Sequence, residues 1–197
     1  MTTYRFTAND LSRLLLAIDS KIDSETKKPV LMVIIGGAAI LLAHNPFGAT
    51  KDIDTLSDIS PLRDAYEKAK KETGIDALLE RVTVADYPYE YETRLEIQTI
   101  PGLKNIKIYI PEKHDLALMK AVRGDENDVD GIIRIHQASV LDPAILISRF
   151  CNEMGHVLGD PRRLQFNFLN IIERLFGAEV LKEAETALTP SRRSPLQ

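Results

Sequence analysis

The sequence predicts an α+β fold, a mixed β-sheet in the front half covered by a helical back half, on three observations. A continuous β-branched run, Val30–Ile35, ends in the pair Gly36-Gly37; two alternating segments flank Pro101-Gly102-Leu103; and the chain beyond Pro111 has helical periodicity. At 197 residues, 44% hydrophobic and 27% charged, this is the composition of a globular protein and not of a collagen-like, low-complexity or disordered one. One domain is expected over 1–197, with a sheet core at 1–110, a helical subdomain at 111–188 and a flexible tail at 189–197.

Each element has its own reason. Leu11, Leu14, Leu15, Ile18 and Ile22 recur at spacings of three and four, an apolar helical stripe starting near Asn9. A polar break from Asp23 to Pro29 precedes the strand Val30–Ile35, whose unbroken apolar run suits burial on both faces. After the glycines, Ala38 to His44 should be a short helix stopped by Asn45-Pro46-Phe47-Gly48. Thr50 to Leu56 alternates polar and apolar, a strand that puts Asp52 and Asp54 on one face. Ser60-Pro61 opens a helix, the serine capping free amides, and Gly74 closes it. Arg94–Ile100 and Lys104–Ile110 read as an antiparallel hairpin. Helices are then expected at Glu112–Arg123, Asn127–Gln137, Pro143–His156, Pro161–Phe176 and Ala178–Leu188.

Composition excludes several functions. A net charge of -4 and a pI near 5.6 argue against a surface that coats nucleic acid, while leaving room for a local basic cleft. The lone Cys151 precludes an internal disulfide and fits a reducing cytoplasm; its helical pattern beside Phe150 predicts a buried thiol. The run Val30–Ala43 is short of the roughly 20 residues a bilayer span needs, and no secretory signal precedes it, so cytoplasmic localisation without membrane contact is expected. His44, His114, His136 and His156 lack zinc-ligand spacing. The stretch from Asp125 to Gly131 resembles a calcium loop with Glu126 at position one, but that position is normally aspartate, and the twelfth, which requires a bidentate glutamate, is Gln137. The pairs and clusters Lys68, Lys70, Lys71, Arg162, Arg163, Arg192 and Arg193 are scattered and read as solvated faces.

The chemistry concentrates in Gly36-Gly37, the short helix, and Thr50-Lys51-Asp52-Ile53-Asp54. Glycines let the main chain approach phosphate oxygens, and the amides of the following helix attract negative charge. Two carboxylates on one strand face can hold Mg²⁺, which neutralises both them and a polyphosphate. The pattern lacks the Gly-Lys-Ser/Thr of a Walker loop and the third glycine of a dinucleotide fingerprint.

Glycine pair, short helix and Asp-x-Asp on the next strand resemble the polymerase-beta-like nucleotidyltransferase superfamily. From about Val30 to Arg149 the chain also resembles bacterial nucleotidyltransferases related to abortive-infection and type IV toxin-antitoxin toxins, through Ile108-Tyr-Ile110, Asp115-Leu116, Lys120, Arg123 and Asp128. The resemblance implies a nucleotidyltransferase-like fold and a Mg²⁺-dependent enzyme that moves a nucleoside monophosphate from a nucleoside triphosphate to an acceptor hydroxyl. That acceptor would be an RNA end, such as that of a transfer RNA, or a protein, and an antitoxin would be a possible partner. Asp52, Asp54, Lys120 and Asp128 would be catalytic, and Gly36, Gly37, Thr50, Lys51, Lys120 and Arg123 would bind nucleotide. Asp52 and Asp54 would hold metal, with Glu96 of Arg94-Leu-Glu-Ile-Gln as the candidate third carboxylate. Gly48 and Asn127 stand where relatives often carry arginine. The alternative is therefore a catalytically degenerate nucleotide-binding or regulatory module of the same fold.

Overall fold

The computed structural model describes residues 5–22, 28–44, 48–83 and 86–189. Most of the polar break after Ile22, Asn45 to Phe47, and the expected tail beyond Thr189 lie outside the described residues. Helix α1 (Ala8–Asp19) begins at a reciprocal cap: Asp10 N donates to the Thr7 hydroxyl and Thr7 N to the Asp10 carboxylate. Its buried stripe is Leu11, Leu14, Leu15 and Ile18. At its C-terminus the Asp19 carboxylate accepts from the amides of Lys104, Asn105 and Ile106, fastening the helix to the start of a strand 87 residues away.

Strands β1 (Val30–Ile35), β2 (Asp52–Thr55), β3 (Leu78–Arg81), β4 (Glu96–Gln98) and β5 (Ile106–Ile110) form one mixed sheet in the order β3-β2-β1-β5-β4. β1 is parallel to β5 and antiparallel to β2; β3 is parallel to β2, and β4 antiparallel to β5. The expected hairpin thus forms with a shorter first strand. β3 was not expected: it is four residues long, and only Leu79 of it is buried.

Register assigns the faces. Met32, Ile34, Ile53, Ile106, Ile108 and Ile110 are buried on one face. Opposite are Leu31, Val33, Ile35, Asp52, Asp54, Leu78, Glu80, Lys107 and Tyr109, because Ile35 pairs with Asp54, Asp54 with Glu80 and Val33 with Tyr109. β1 is therefore not covered throughout on both faces; Leu31 is 56% exposed.

Helix α2 (Gly36–Ala43) starts on the glycines themselves, and α3 (Arg63–Thr73) follows a 3-10 turn at Ser60–Leu62 and closes on left-handed Gly74. Ser60 does not cap the helix; its amide and hydroxyl donate to Asp58 instead. The back half comprises α4 (Lys113–Arg123), α5 (Glu126–Ala138), α6 (Pro143–Glu153), α7 (Pro161–Phe176) and α8 (Ala178–Leu188). Aspartates 125, 142 and 160 cap α5, α6 and α7 through their carboxylates. One apolar core runs from Phe6 to Ala184, and Phe150 stacks on Phe168 with centroids 3.9 Å apart. Cys151, expected to be buried, is exposed on α6, the outward side of the same helix. Among the described residues no helix is long and apolar enough to cross a membrane.

Candidate active site

The glycine turn and the carboxylate strand meet in van der Waals contact. Gly36 has φ +65°, and a Cβ built on it would stand 2.9 Å from Asp54 Oδ2; one on Gly37 would stand 2.5 Å from Thr50 Oγ1. Only glycine allows both the left-handed backbone and this approach. Thr50 is fixed by a two-way backbone bridge to Phe6 and donates its hydroxyl to Asp52 Oδ1 at 3.2 Å. Asp52 and Asp54 are half-buried. Burial, and next to it the negative charges of Asp52 and Glu80, push the Asp54 carboxyl above its ordinary range, against the pull of Arg123 and Lys120.

The second wall comes from the helical half. Lys120, on α4, donates from Nζ to Asp128 Oδ1 at 2.8 Å, and Arg123 donates from Nε to Oδ2 and from Nη2 to Oδ1, both at 2.9 Å. Asp128 is 2% exposed. Burial alone would raise its carboxyl, but the hydrogen bonds from Arg123 and Lys120 prevail and hold it low; Asp128 in turn raises the Arg123 guanidinium. Lys120 reaches this position across Gly131, where a Cβ would lie 2.9 Å from Lys120 Cε. Among the described residues, two of the three Lys120 protons and three of the five Arg123 N–H groups have no partner and are open to a ligand.

A polar cleft of about 480 Å³ joins the walls. Its lining includes Gly36, Gly37, Thr50, Lys51, Asp52, Asp54, Lys120, Arg123 and Asp128, together with Arg5 and Arg134, which the sequence did not single out. The volume is within the range of small-molecule sites. Glu96 is not part of it: paired with Ile110, it faces the opposite side of the sheet from Asp54, on the far edge strand. The acid beside the pair is instead Glu80, in register with Asp54 on β3. Nothing in the local sequence marks Glu80, because a parallel register between segments 26 residues apart sets its position.

A divalent metal fits this donor set. Among the described residues neither Asp52 nor Asp54 has a cationic side chain in ion-pair contact. Among the same residues no group of three or more His, Cys, Asp or Glu side chains is close enough to cage a metal alone. Two carboxylates completed by phosphate oxygens are the usual Mg²⁺ arrangement.

Asp115 has a different place. It is fully buried and bonds both Arg94, from Nε at 2.8 Å and Nη2 at 3.1 Å, and Arg149 Nη1 at 2.8 Å. Arg94 also bonds Glu153, and Arg149 bonds Glu112. This lattice ties α4 to α6 and to the 3-10 turn Tyr91–Arg94. His114 belongs to it: Nε2 accepts from Asp142 N at 2.8 Å, so the ring proton is on Nδ1 and is given to Glu112.

The mixed five-stranded sheet with its flanking helices is an α+β fold of the nucleotidyltransferase-like kind. The family model described as "Nucleotidyltransferase of unknown function (DUF6036)" matches residues 13–174, most of the chain, and the chain belongs to that family. No curated protein and no solved structure matches it.

Proposed function

We propose that the protein is a Mg²⁺-dependent nucleotidyltransferase that joins the α-phosphate of a nucleoside triphosphate to an acceptor hydroxyl and releases pyrophosphate. One observation carries this reading: two carboxylates free of ion pairs among the described residues face a glycine turn across a cleft from Lys120 and Arg123. Carboxylates alone would repel a triphosphate. Mg²⁺, when bound, neutralises both and polarises the α-phosphate.

The residues divide the remaining work. Gly36 and Gly37 let Asp54 and Thr50 pack against the main chain at the start of α2, and Thr50 holds the Asp52 carboxylate in orientation through its hydroxyl. Lys120 and Arg123, aligned by Asp128, offset the charge that grows on the leaving pyrophosphate. Lys51, Arg5 and Arg134 add positive charge around the cleft. Positioning and charge compensation are the main contributions a protein makes to phosphoryl-type transfer.

The test is a titration of each nucleoside triphosphate with Mg²⁺, followed by release of pyrophosphate in the presence of hydroxyl acceptors of both kinds, total RNA and protein. Binding and release that both vanish in Asp52→Asn and Asp54→Asn support the enzyme. Binding without release in the wild type makes the protein a nucleotide-binding module, and absence of binding overturns the reading.

A further inference from the structure

Asp54, Gly36, Lys120 and Arg123 are common to two hollows: the polar cleft of about 480 Å³ and a smaller one of about 120 Å³. The rest of the smaller hollow is Ile35, Val82, Leu116, Met119 and Asp86. Val82 is held in this lining by a 2.8 Å bond from its amide to Thr55 O, which continues the β3 pairing past Arg81.

The two sides differ in polarity. Arg5, Lys51 and Arg134 line only the larger cleft, as do the acids Asp52, Asp125, Asp128 and Asp130, whereas the smaller hollow is lined by four apolar side chains and has, among the described residues, no cation beyond the shared Lys120 and Arg123. Its own ionisable group is Asp86, and Glu80 stands next to Asp54 on the same sheet face. A polyanion threaded through this side would find as counter-charge only Lys120 and Arg123, which Asp128 already engages and which the proposed reaction turns toward the triphosphate, so the hollow suits nucleic acid poorly. Four apolar side chains suit an uncharged stem.

We infer that the smaller hollow is the acceptor port and that it takes a neutral hydroxyl on a short apolar or aromatic stem, the chemistry of a serine, threonine or tyrosine side chain of a protein. The inference rests on the proposed transfer reaction, with the triphosphate in the larger cleft. Asp86 accepts the hydroxyl proton as the acceptor oxygen forms its bond to the α-phosphorus. The bond from that phosphorus to the bridging oxygen breaks, and its electron pair leaves with pyrophosphate, held by Lys120 and Arg123. No other reactant is required.

The experiment uses the full chain with α-labelled nucleoside triphosphates and Mg²⁺. One arm contains N-acetyl-tyrosinamide and N-acetyl-serinamide, the other a short oligoribonucleotide with a free 3′ end. Label should pass to an amide acceptor and not to the oligoribonucleotide. Val82→Trp, which fills the port, should lower transfer more than tenfold while triphosphate affinity stays within twofold. Asp86→Asn, an independent variant should Val82→Trp not fold, should lower transfer by about 10²-fold, again with triphosphate affinity within twofold. Transfer to the oligoribonucleotide, or to neither acceptor by a chain that binds triphosphate, overturns the acceptor class. Weaker triphosphate binding in Val82→Trp overturns the port alone. A wild-type chain that binds no triphosphate overturns the proposed function itself.

Discussion

Lys120 Nζ and Asp128 Oδ1 are 2.8 Å apart at the buried edge of the cleft, and Arg123 closes on the same carboxylate from the other side. The carboxylate thus aligns two cations that would otherwise repel each other. Removing it in Asp128→Ala leaves the largely buried Lys120 without its partner, at a cost of about 3 kcal/mol in urea unfolding. Asp128→Asn should fall between the two. An unchanged midpoint for Asp128→Ala would contradict this role.

Asp54 and Asp52 repel each other and are half-buried, so a divalent cation should stabilise the folded chain by mass action. Mg²⁺ at millimolar concentration should raise the melting temperature of the wild type and leave Asp54→Asn unmoved. The same substitution should lower nucleotide transfer more than about 10³-fold, the equivalent of several kcal/mol of lost charge stabilisation.

Gly36→Ala meets two obstacles together, a positive φ and an Asp54 oxygen 2.9 Å from the new methyl. The backbone strain is about 1–2 kcal/mol, readable as a lower urea midpoint, and the displaced Asp54 should reduce Mg²⁺-induced stabilisation. Gly74→Ala, also at positive φ but with nothing near its Cβ, shares the strain and should leave the Mg²⁺ response intact.

Glu112 supplies the pH dependence. Burial would raise its carboxyl, but His114 and Arg149 outweigh it and pull it from 4.5 down to about 2. A carboxyl lowered in the folded state contributes its full stability above the unfolded value, and that stability is lost as pH falls from 4.5 toward 2. Arg149→Met should be less stable at pH 7 by about 3 kcal/mol, and its unfolding free energy should change less steeply across the acid window. Equilibrium unfolding at a series of pH values measures both.

Much of the frame was legible because local signals and tertiary demands agree. Val30–Ile35, the Pro143 and Pro161 helix starts and the Gly36-Gly37 turn each announce themselves in a few residues. β3 did not, since an edge strand with a single buried side chain, Leu79, needs neither alternation nor length. Glu96 and Glu80 show the same limit for the site. Both are acids in short strands, and only the pairing of β4 with β5 and of β3 with β2 decides which one shares a face with Asp54. Asp115 entered the sequence reading only as part of the motif that carries the resemblance; its partners Arg94 and Arg149 lie 21 and 34 residues away, beyond the reach of periodicity.

Asp19 grips the amides of Lys104, Asn105 and Ile106 just where β5 begins beside β1, and β5 leads directly into the helix bearing Lys120. Asp52 and Asp54 lie in the first third of the polypeptide, together with Arg5 and Lys51, while Lys120, Arg123 and Asp128 come only after residue 119. A chain ending at β5 would contain the carboxylate pair and lack the ion-paired cluster opposite it, so the two walls of the cleft are drawn from separate stretches of the sequence.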